Sequence, residues 1–306
     1  YDYDLPKDRI AQSPAEKRDE SKLLVRDRKT GALTDEPHFY KIADYLHAGD
    51  VLVRNNTKVI PARLLGVKEG TFAHVELLLL RQSAKEKDVW ECLVGNAHTV
   101  KVGTRVDFGD KGLLVAECIE VKEEGLRLFR FFYKGIFREV LDSLGKMPLP
   151  PYIHAQLGDN SRYQTVYAKV EGSAAAPTAG FHFTNELFAS LEKKGVEVLD
   201  VTLNIGLGTF RPVKDDDIRK HDRHSEFIHR DQSTADKLNQ AKKEKRRIIA
   251  VGTTSTRTLE TIYHQYGRFK ATDEDTKLFI YPGFQYEAID ALITNFHLPK
   301  STLVRL

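Results

Sequence analysis

Two cysteines, one methionine and one tryptophan are all that this chain of 306 residues holds of those three types. Cys92 and Cys118 stand far apart with no C-x-x-C spacing, which excludes a disulfide-framed secreted scaffold; both read as reduced core or half-core thiols. No apolar run approaches the roughly 18–20 residues that span a bilayer. The longest, VELLLL from Val75 to Leu80, is strand-sized. Charge of one sign is also missing: 47 basic against 44 acidic residues leave a net +3, which excludes a histone-like protein but not a local nucleic-acid patch. Twenty glycines and 11 prolines are too few for a collagen-like or low-complexity chain, and no internal repeat is visible. The opening YDYDLPKDRI is acidic and polar with no apolar centre, so it is not a signal peptide. The chain reads as a cytoplasmic protein.

What is present is ordinary globular composition, 41% hydrophobic and 30% charged, with length for one large domain or two smaller ones. From about Leu65 to Phe132 short runs rich in Val, Leu and Phe alternate with turn signals such as Gly109-Asp110. Regular short strands predict a small antiparallel barrel or sandwich. The flanking chain alternates strand-like and helix-like periods, which favours parallel α/β packing. The expected architecture is therefore α/β: a discontinuous main domain, residues 1–64 and 148–306, carrying an inserted β-barrel over 65–147.

Local signals are sharpest on the C-terminal side. Thr184 predicts the cap of a helix from Asn185 to about Lys194, with Phe183 and Phe188 as a hydrophobic staple and Gly195 as the stop. Ser233 with Asp236 resembles a capping box for a helix through Lys245. The dense basic cluster Lys242, Lys243, Lys245, Arg246 and Arg247 fits a solvated helix end, where cations complement the dipole, better than a nucleic-acid patch.

Five loops have compositions that folding alone does not demand. In AVGTTSTR, Ala250 to Arg257, a buried strand ends at Gly252 and hydroxyl residues lead into a helix. Free backbone N–H groups with hydroxyls at a helix start suit carboxylate, phosphate or ribose oxygens, although a capped turn without ligand has the same residues. GSAAAPTAGFHF, Gly172 to Phe183, permits close backbone approach and offers Thr178 and His182. TLNIGLGTFRPV, Thr202 to Val213, is neither G-x-G-x-x-G nor a phosphate loop, and nucleotide triphosphate hydrolysis is not expected. His221, His224 and Glu226 could ligate a metal or form an acid/base pair. His297 in NFHLPKS, Asn295 to Ser301, fits a satisfied core histidine as well as a catalyst.

In order along the chain stand NNTKVIPARL (Asn55 to Leu64), MPLPPYI (Met147 to Ile153), RYQTVYA (Arg162 to Ala168) and AAPTAGFHF (Ala175 to Phe183). GLGTFRPV, HSEF, AVGTTSTRTLE, FIYPGF and ITNFHLPKSTL follow. Together these strings resemble the S-adenosylmethionine:tRNA ribosyltransferase-isomerases, the QueA family of queuosine biosynthesis. The resemblance implies an α/β domain with an inserted β-barrel and a reaction on tRNA. In it the ribosyl part of S-adenosylmethionine passes to 7-aminomethyl-7-deazaguanine at the wobble position, giving epoxyqueuosine and releasing adenine and methionine. It implies no metal and no cofactor beyond S-adenosylmethionine, itself consumed as a substrate, no membrane, and a monomer.

Such chemistry needs a base near neutrality, because the sulfonium acidifies the adjacent 5′ carbon, and an anion site for the methionine carboxylate. His182, His224 and His297 are the acid/base candidates, with Glu226 tuning His224. Thr178, Thr253, Thr254, Ser255 and Arg257 are the substrate-binding candidates. Arg63 and Lys58 are candidates for a carboxylate or a tRNA phosphate, unless Arg63 is spent in an internal ion pair. The sequence departs from the family at Asn204, where His is usual, and at Arg223, where Met is usual; Asn hydrogen-bonds but does not shuttle a proton at neutral pH. Two further readings remain: an RNA-binding relative without activity, and a metal-dependent hydrolase built on His221, His224 and Glu226.

Overall fold

The computed structural model describes residues 3–83, 85–110, 112–149, 153, 159–173, 175–204, 226–276, 278 and 280–299. His221, Arg223, His224 and the GLGTFRPV string lie outside the described residues. A hairpin of β1 (Leu23–Arg26) and β2 (Leu33–Glu36) precedes the first central strand, β3 (Val51–Asn55). The chain leaves β3 through β4 (Thr57–Val59) and enters the barrel strands β5 (Arg63–Lys68), β6 (His74–Gln82), β7 (Val89–Val94), β8 (Arg105–Phe108), β9 (Leu114–Val121) and β10 (Leu126–Tyr133). These close in the order β10-β7-β6-β5-β8-β9. Helix α1 (Phe137–Leu144) packs on the barrel core, and Lys146 bridges back to Arg63. The chain then returns as β11 (Val170–Ser173), paired in parallel with β4.

Alternation builds the barrel. Val75, Leu77 and Leu79 of β6 point inward with Phe108, Phe129 and Phe131, while the intervening residues are only half-buried. Both cysteines belong to this core and are free, and burial raises both thiol pKa values above the ordinary range. Arg127 occupies one inward position because its guanidinium donates to four carbonyls, those of Val100, Lys122, Leu126 and Ala97.

The remaining elements are α2 (Asn185–Lys194), β12 (Glu197–Asn204), β13 (Glu226–Arg230), α3 (Gln232–Lys243), β14 (Ile248–Val251), α4 (Gly252–Tyr266), β15 (Thr272–Thr276) and β16 (Ala291–Ile293). With β3 they form a six-stranded sheet, β15-β13-β12-β3-β14-β16, whose four strands β12, β3, β14 and β16 run parallel. Adjacent residues feed opposite faces. Val51 and Val53 pack with Leu238 of α3 and Leu259 of α4, while Leu52 packs with Phe188 and Leu191 of α2. The architecture is the α/β fold with an antiparallel barrel that the sequence patterns predict.

Helix α2 follows expectation closely. Thr184 Oγ1 accepts from Leu187 N at 3.1 Å, Phe183 stacks on Phe188 at 4.8 Å, and Gly195 takes the left-handed conformation. Helix α3 corrects it: the cap is Asp231, which accepts from Thr234 N at 2.7 Å, and Ser233 lies inside the first turn. A carboxylate beside the positive helix start outcompetes a hydroxyl two residues later. The basic cluster ends α3 and opens β14, where Arg246 pairs with Glu197 and Glu244, and Arg247 with Asp50.

Glu260 of α4 is fully buried, and its carboxylate accepts the backbone N–H groups of Glu287, Ala288 and Ile289, pinning the approach to β16. Glu260→Gln turns an NH2 group toward at least one of these donors. Stability should fall by about 1–3 kcal/mol, read as a lower midpoint in urea unfolding; an unchanged midpoint would show that these contacts do not matter.

Candidate active site at the carboxyl end of the parallel strands

The four parallel strands end at Asn204, Asn55, Val251 and Ile293, and the strings NNTKVIPARL, AVGTTSTRTLE and ITNFHLPKSTL run through the last three of these ends. The order β12-β3-β14-β16 places the reversal of connection between β3 and β14, where open α/β sheets bind ligands. On the β3 side two consecutive asparagines replace apolar strand residues. Asn55 is buried; its Nδ2 donates to Leu203 O at 2.9 Å and its Oδ1 accepts from Leu203 N at 3.0 Å. Asn56 Oδ1 accepts from Thr202 Oγ1 at 2.7 Å. Thr57 Oγ1 donates to Asn204 Oδ1 at 2.8 Å, so the residue that departs from the family joins a hydrogen-bonded strand end. Glu226 opens β13 beside it, since Phe227 pairs with Asn204.

On the β14 side Gly252, at φ +88°, turns the chain directly into α4, which begins there and not after the hydroxyl residues. No side chain caps this start. Thr256 and Thr258 direct their hydroxyls back to the carbonyls four residues earlier. The buried hydroxyls of Thr254 and Ser255 have no hydrogen-bond partner among the described residues, and Thr253 is half-buried. Arg257 lies one turn further in at 8% exposure.

The Thr178–His182 turn is wedged between these walls. A methyl group on Gly252 would touch Ala179 at 3.6 Å, and one on Gly180 would lie 2.0 Å from the Tyr167 hydroxyl. Arg54 lies in the corner formed by the perpendicular Tyr167 and Phe188 rings, 4.3 Å from each centroid, and pairs with Asp200 at 2.7 Å. His182 closes the turn. Its Nδ1 lies 2.7 Å from Ser21 Oγ and its Nε2 2.7 Å from Asn295 Oδ1, while Asn295 Nδ2 donates to Thr178 Oγ1 at 3.0 Å. His297 is half-buried near Thr294, its carbonyl accepts from Tyr3 Oη, and Phe296 beside it is 87% exposed.

Thr178, His182, Thr253, Thr254, Ser255, Arg257 and His297 thus gather at one end of the sheet. Arg63 does not: it sits on β5 in a bidentate pair with Glu76, at 2.7 and 3.1 Å. Lys58 is half-exposed on β4 and pairs with Glu171 at 3.4 Å. Ser21, Asn295 and the Asn55-Asn56 pair escaped the sequence reading as individual residues. The asparagine pair had a signal, two strand-breaking residues after a buried strand; Ser21 had none. No group of three or more His, Cys, Asp and Glu among the described residues is arranged to hold a metal.

Burial pushes the His182 imidazole below its ordinary value of 6.5, with the Arg18 charge adding to the push, and burial does the same to His297. A folded value below the unfolded one means that the unfolded chain takes up protons first on acidification. This contribution is fully present above about pH 6.5 and is lost as pH falls through that value toward the folded one. Unfolding midpoints measured from about pH 7.5 down to about pH 5.5 should fall for the native protein and fall less for His182→Gln. Parallel curves would mean that His182 does not carry the effect.

The model of the family described as "Queuosine biosynthesis protein" matches residues 1–306. The S-adenosylmethionine:tRNA ribosyltransferase-isomerases of Staphylococcus haemolyticus (strain JCSC1435) and Staphylococcus aureus (strain JH9) are each 55% identical over all 306 residues, 89% of their own length. The crystal structure of S-adenosylmethionine tRNA ribosyltransferase from Thermotoga maritima is similar at a TM-score of 0.52 and 35% identity, covering 99% of this chain and 87% of that one. A family match across every residue, and relatives this similar over the full length, leave one conclusion: the chain belongs to the queuosine biosynthesis protein family.

Proposed function

We infer that the protein is an S-adenosylmethionine:tRNA ribosyltransferase-isomerase that acts on 7-aminomethyl-7-deazaguanine at the tRNA wobble position and forms epoxyqueuosine. The observation that carries this reading is 55% identity over the whole chain to enzymes of that name. The crevice geometry supports it. The uncapped start of α4, with its unpartnered Thr254 and Ser255 hydroxyls, suits the carboxylate or ribose oxygens of S-adenosylmethionine. Thr253, Arg257 and Thr178 flank that position.

The sulfonium of S-adenosylmethionine acidifies the neighbouring carbon, and an imidazole kept neutral by burial is in the state to accept that proton. His182 and His297 fill this role, with His224 and Glu226 as further acid/base groups. Adenine and methionine are the leaving groups. The crevice residues act on S-adenosylmethionine as a consumed substrate, with no metal or separate cofactor in the sequence of steps. The enzyme works as a monomer in the cytoplasm.

The basic cluster at Lys242 to Arg247 lies at the amino end of β14, opposite the crevice, and its arginines are spent in ion pairs. The tRNA therefore approaches from the other end of the sheet. Its phosphates meet Lys58 and Arg63, each of which serves there by leaving its carboxylate partner, Glu171 and Glu76.

The decisive experiment incubates the protein with S-adenosylmethionine and tRNA carrying the aminomethyl-deazaguanine, then digests the tRNA for nucleoside mass spectrometry. Epoxyqueuosine together with free adenine and methionine is expected. Binding of both substrates without product would support the inactive RNA-binding reading instead, with Asn204 or Arg223 as the disabling residue. Affinity for tRNA should drop at least tenfold between roughly 50 and 200 mM salt; a flat profile would contradict phosphate-led binding.

A further inference from the structure

We propose that Ser21 is a further catalytic residue of this enzyme, the substrate-facing end of a proton relay that runs from Ser21 through His182 and is held by Asn295. The proposal rests on the transferase reading and names the atom at which its base acts.

The orientation assigned to the Asn295 amide gives this chain of contacts one direction. In that orientation Asn295 Nδ2 donates to Thr178 Oγ1 at 3.0 Å and Oδ1 faces His182 Nε2 at 2.7 Å. A carboxamide oxygen only accepts here, so His182 Nε2 carries the hydrogen. Nδ1 is then the basic nitrogen, and the Ser21 hydroxyl donates to it at 2.7 Å in preference to the Arg18 carbonyl at 3.4 Å. With both ring nitrogens engaged, a substrate proton reaches His182 through one of its two partners. Asn295 cannot pass it on, because an amide does not take up a proton near neutral pH. Ser21 can, since a hydroxyl gives one proton while taking another. The arrangement is that of a serine–histidine pair with a third residue orienting the ring.

Ser21 is half-buried and arrives from outside the sheet, on a segment docked by Arg18 donating to Ser161 O at 3.0 Å and by Thr184 Oγ1 donating to Asp19 at 3.4 Å. In the step, the C–H bond beside the sulfonium breaks and its electron pair stays on carbon. The proton goes to Ser21 Oγ as the Ser21 proton passes to His182 Nδ1. Serine ends as a neutral hydroxyl, and His182 as an imidazolium donating to Asn295 Oδ1. The same path returns the proton in a later step. The groups facing His182 are Ser21 and Arg18 from this segment, the Phe39 ring at 5.2 Å, and Asn295.

Three variants in the full chain, assayed with S-adenosylmethionine and the aminomethyl-deazaguanine tRNA, test this. Ser21→Ala should lower kcat by roughly 10²–10⁴-fold, the range of a positioned acid/base group, with KM for S-adenosylmethionine and Tm nearly unchanged. Ser21→Thr keeps the hydroxyl and should keep most of the activity. Asn295→Asp puts a carboxylate on Nε2–H, favours the imidazolium, and should move the acidic limb of the kcat profile to higher pH. A Ser21→Ala enzyme within about threefold of native kcat, or an Asn295→Asp limb that stays in place, overturns the relay while native product formation leaves the transferase reading standing. A native protein that forms no epoxyqueuosine overturns both.

Discussion

The tight seat of the Thr178–His182 turn is the constraint on which the crevice depends. The turn passes so close to Tyr167 that position 180 has no space for a side chain, and it meets α4 at Gly252, where the strand becomes helix without an intervening loop. That contact fixes the distance between the hydroxyl-rich helix start and the imidazole of His182. It also explains Gly180 of the AAPTAG string: a side chain there would run into Tyr167 and Thr165. Arg54, set against both the Tyr167 and Phe188 rings and paired to Asp200, holds the outer side of the same contact and ties it to the sheet.

The site is assembled from parts far apart in the chain. Ser21, Thr178, His182 and Asn295 form one hydrogen-bonded series, while Asn55, Asn56, Thr57, Thr202 and Asn204 form another at the neighbouring strand ends. In the second, Asn55 satisfies the backbone N–H and carbonyl of Leu203 at the carboxyl edge of the sheet. Asn204 has a structural task in the second series. An amide meets it with one acceptor toward Thr57, which accounts for how the strand end tolerates a residue that cannot exchange protons at neutral pH.

Charge is distributed in a way that composition conceals. The two arginines of the densest basic run in the sequence are paired with Glu197, Glu244 and Asp50, at the end of the sheet remote from the crevice. Neutralised pairs of this kind add little to a long-range field. The net +3 therefore says little about where a polyanion docks.

Local and tertiary determinants separate cleanly here. The cap, staple and stop of α2 and the inward alternation of the barrel strands rest on neighbours within a few residues, so the sequence by itself determined them. The ordered family strings likewise determined which fold and which reaction to expect. Local rules met their limit at α3, where Asp231 displaced the cap expected at Ser233 because two competing acceptors stood within one turn. The partners of Arg63, the pairing of the basic cluster and the junction of Ser21 with His182 were decided by tertiary structure alone. Each joins residues that only the folded backbone brings within hydrogen-bond reach, and a side chain's charge or hydroxyl does not specify which of many distant partners the packing will deliver.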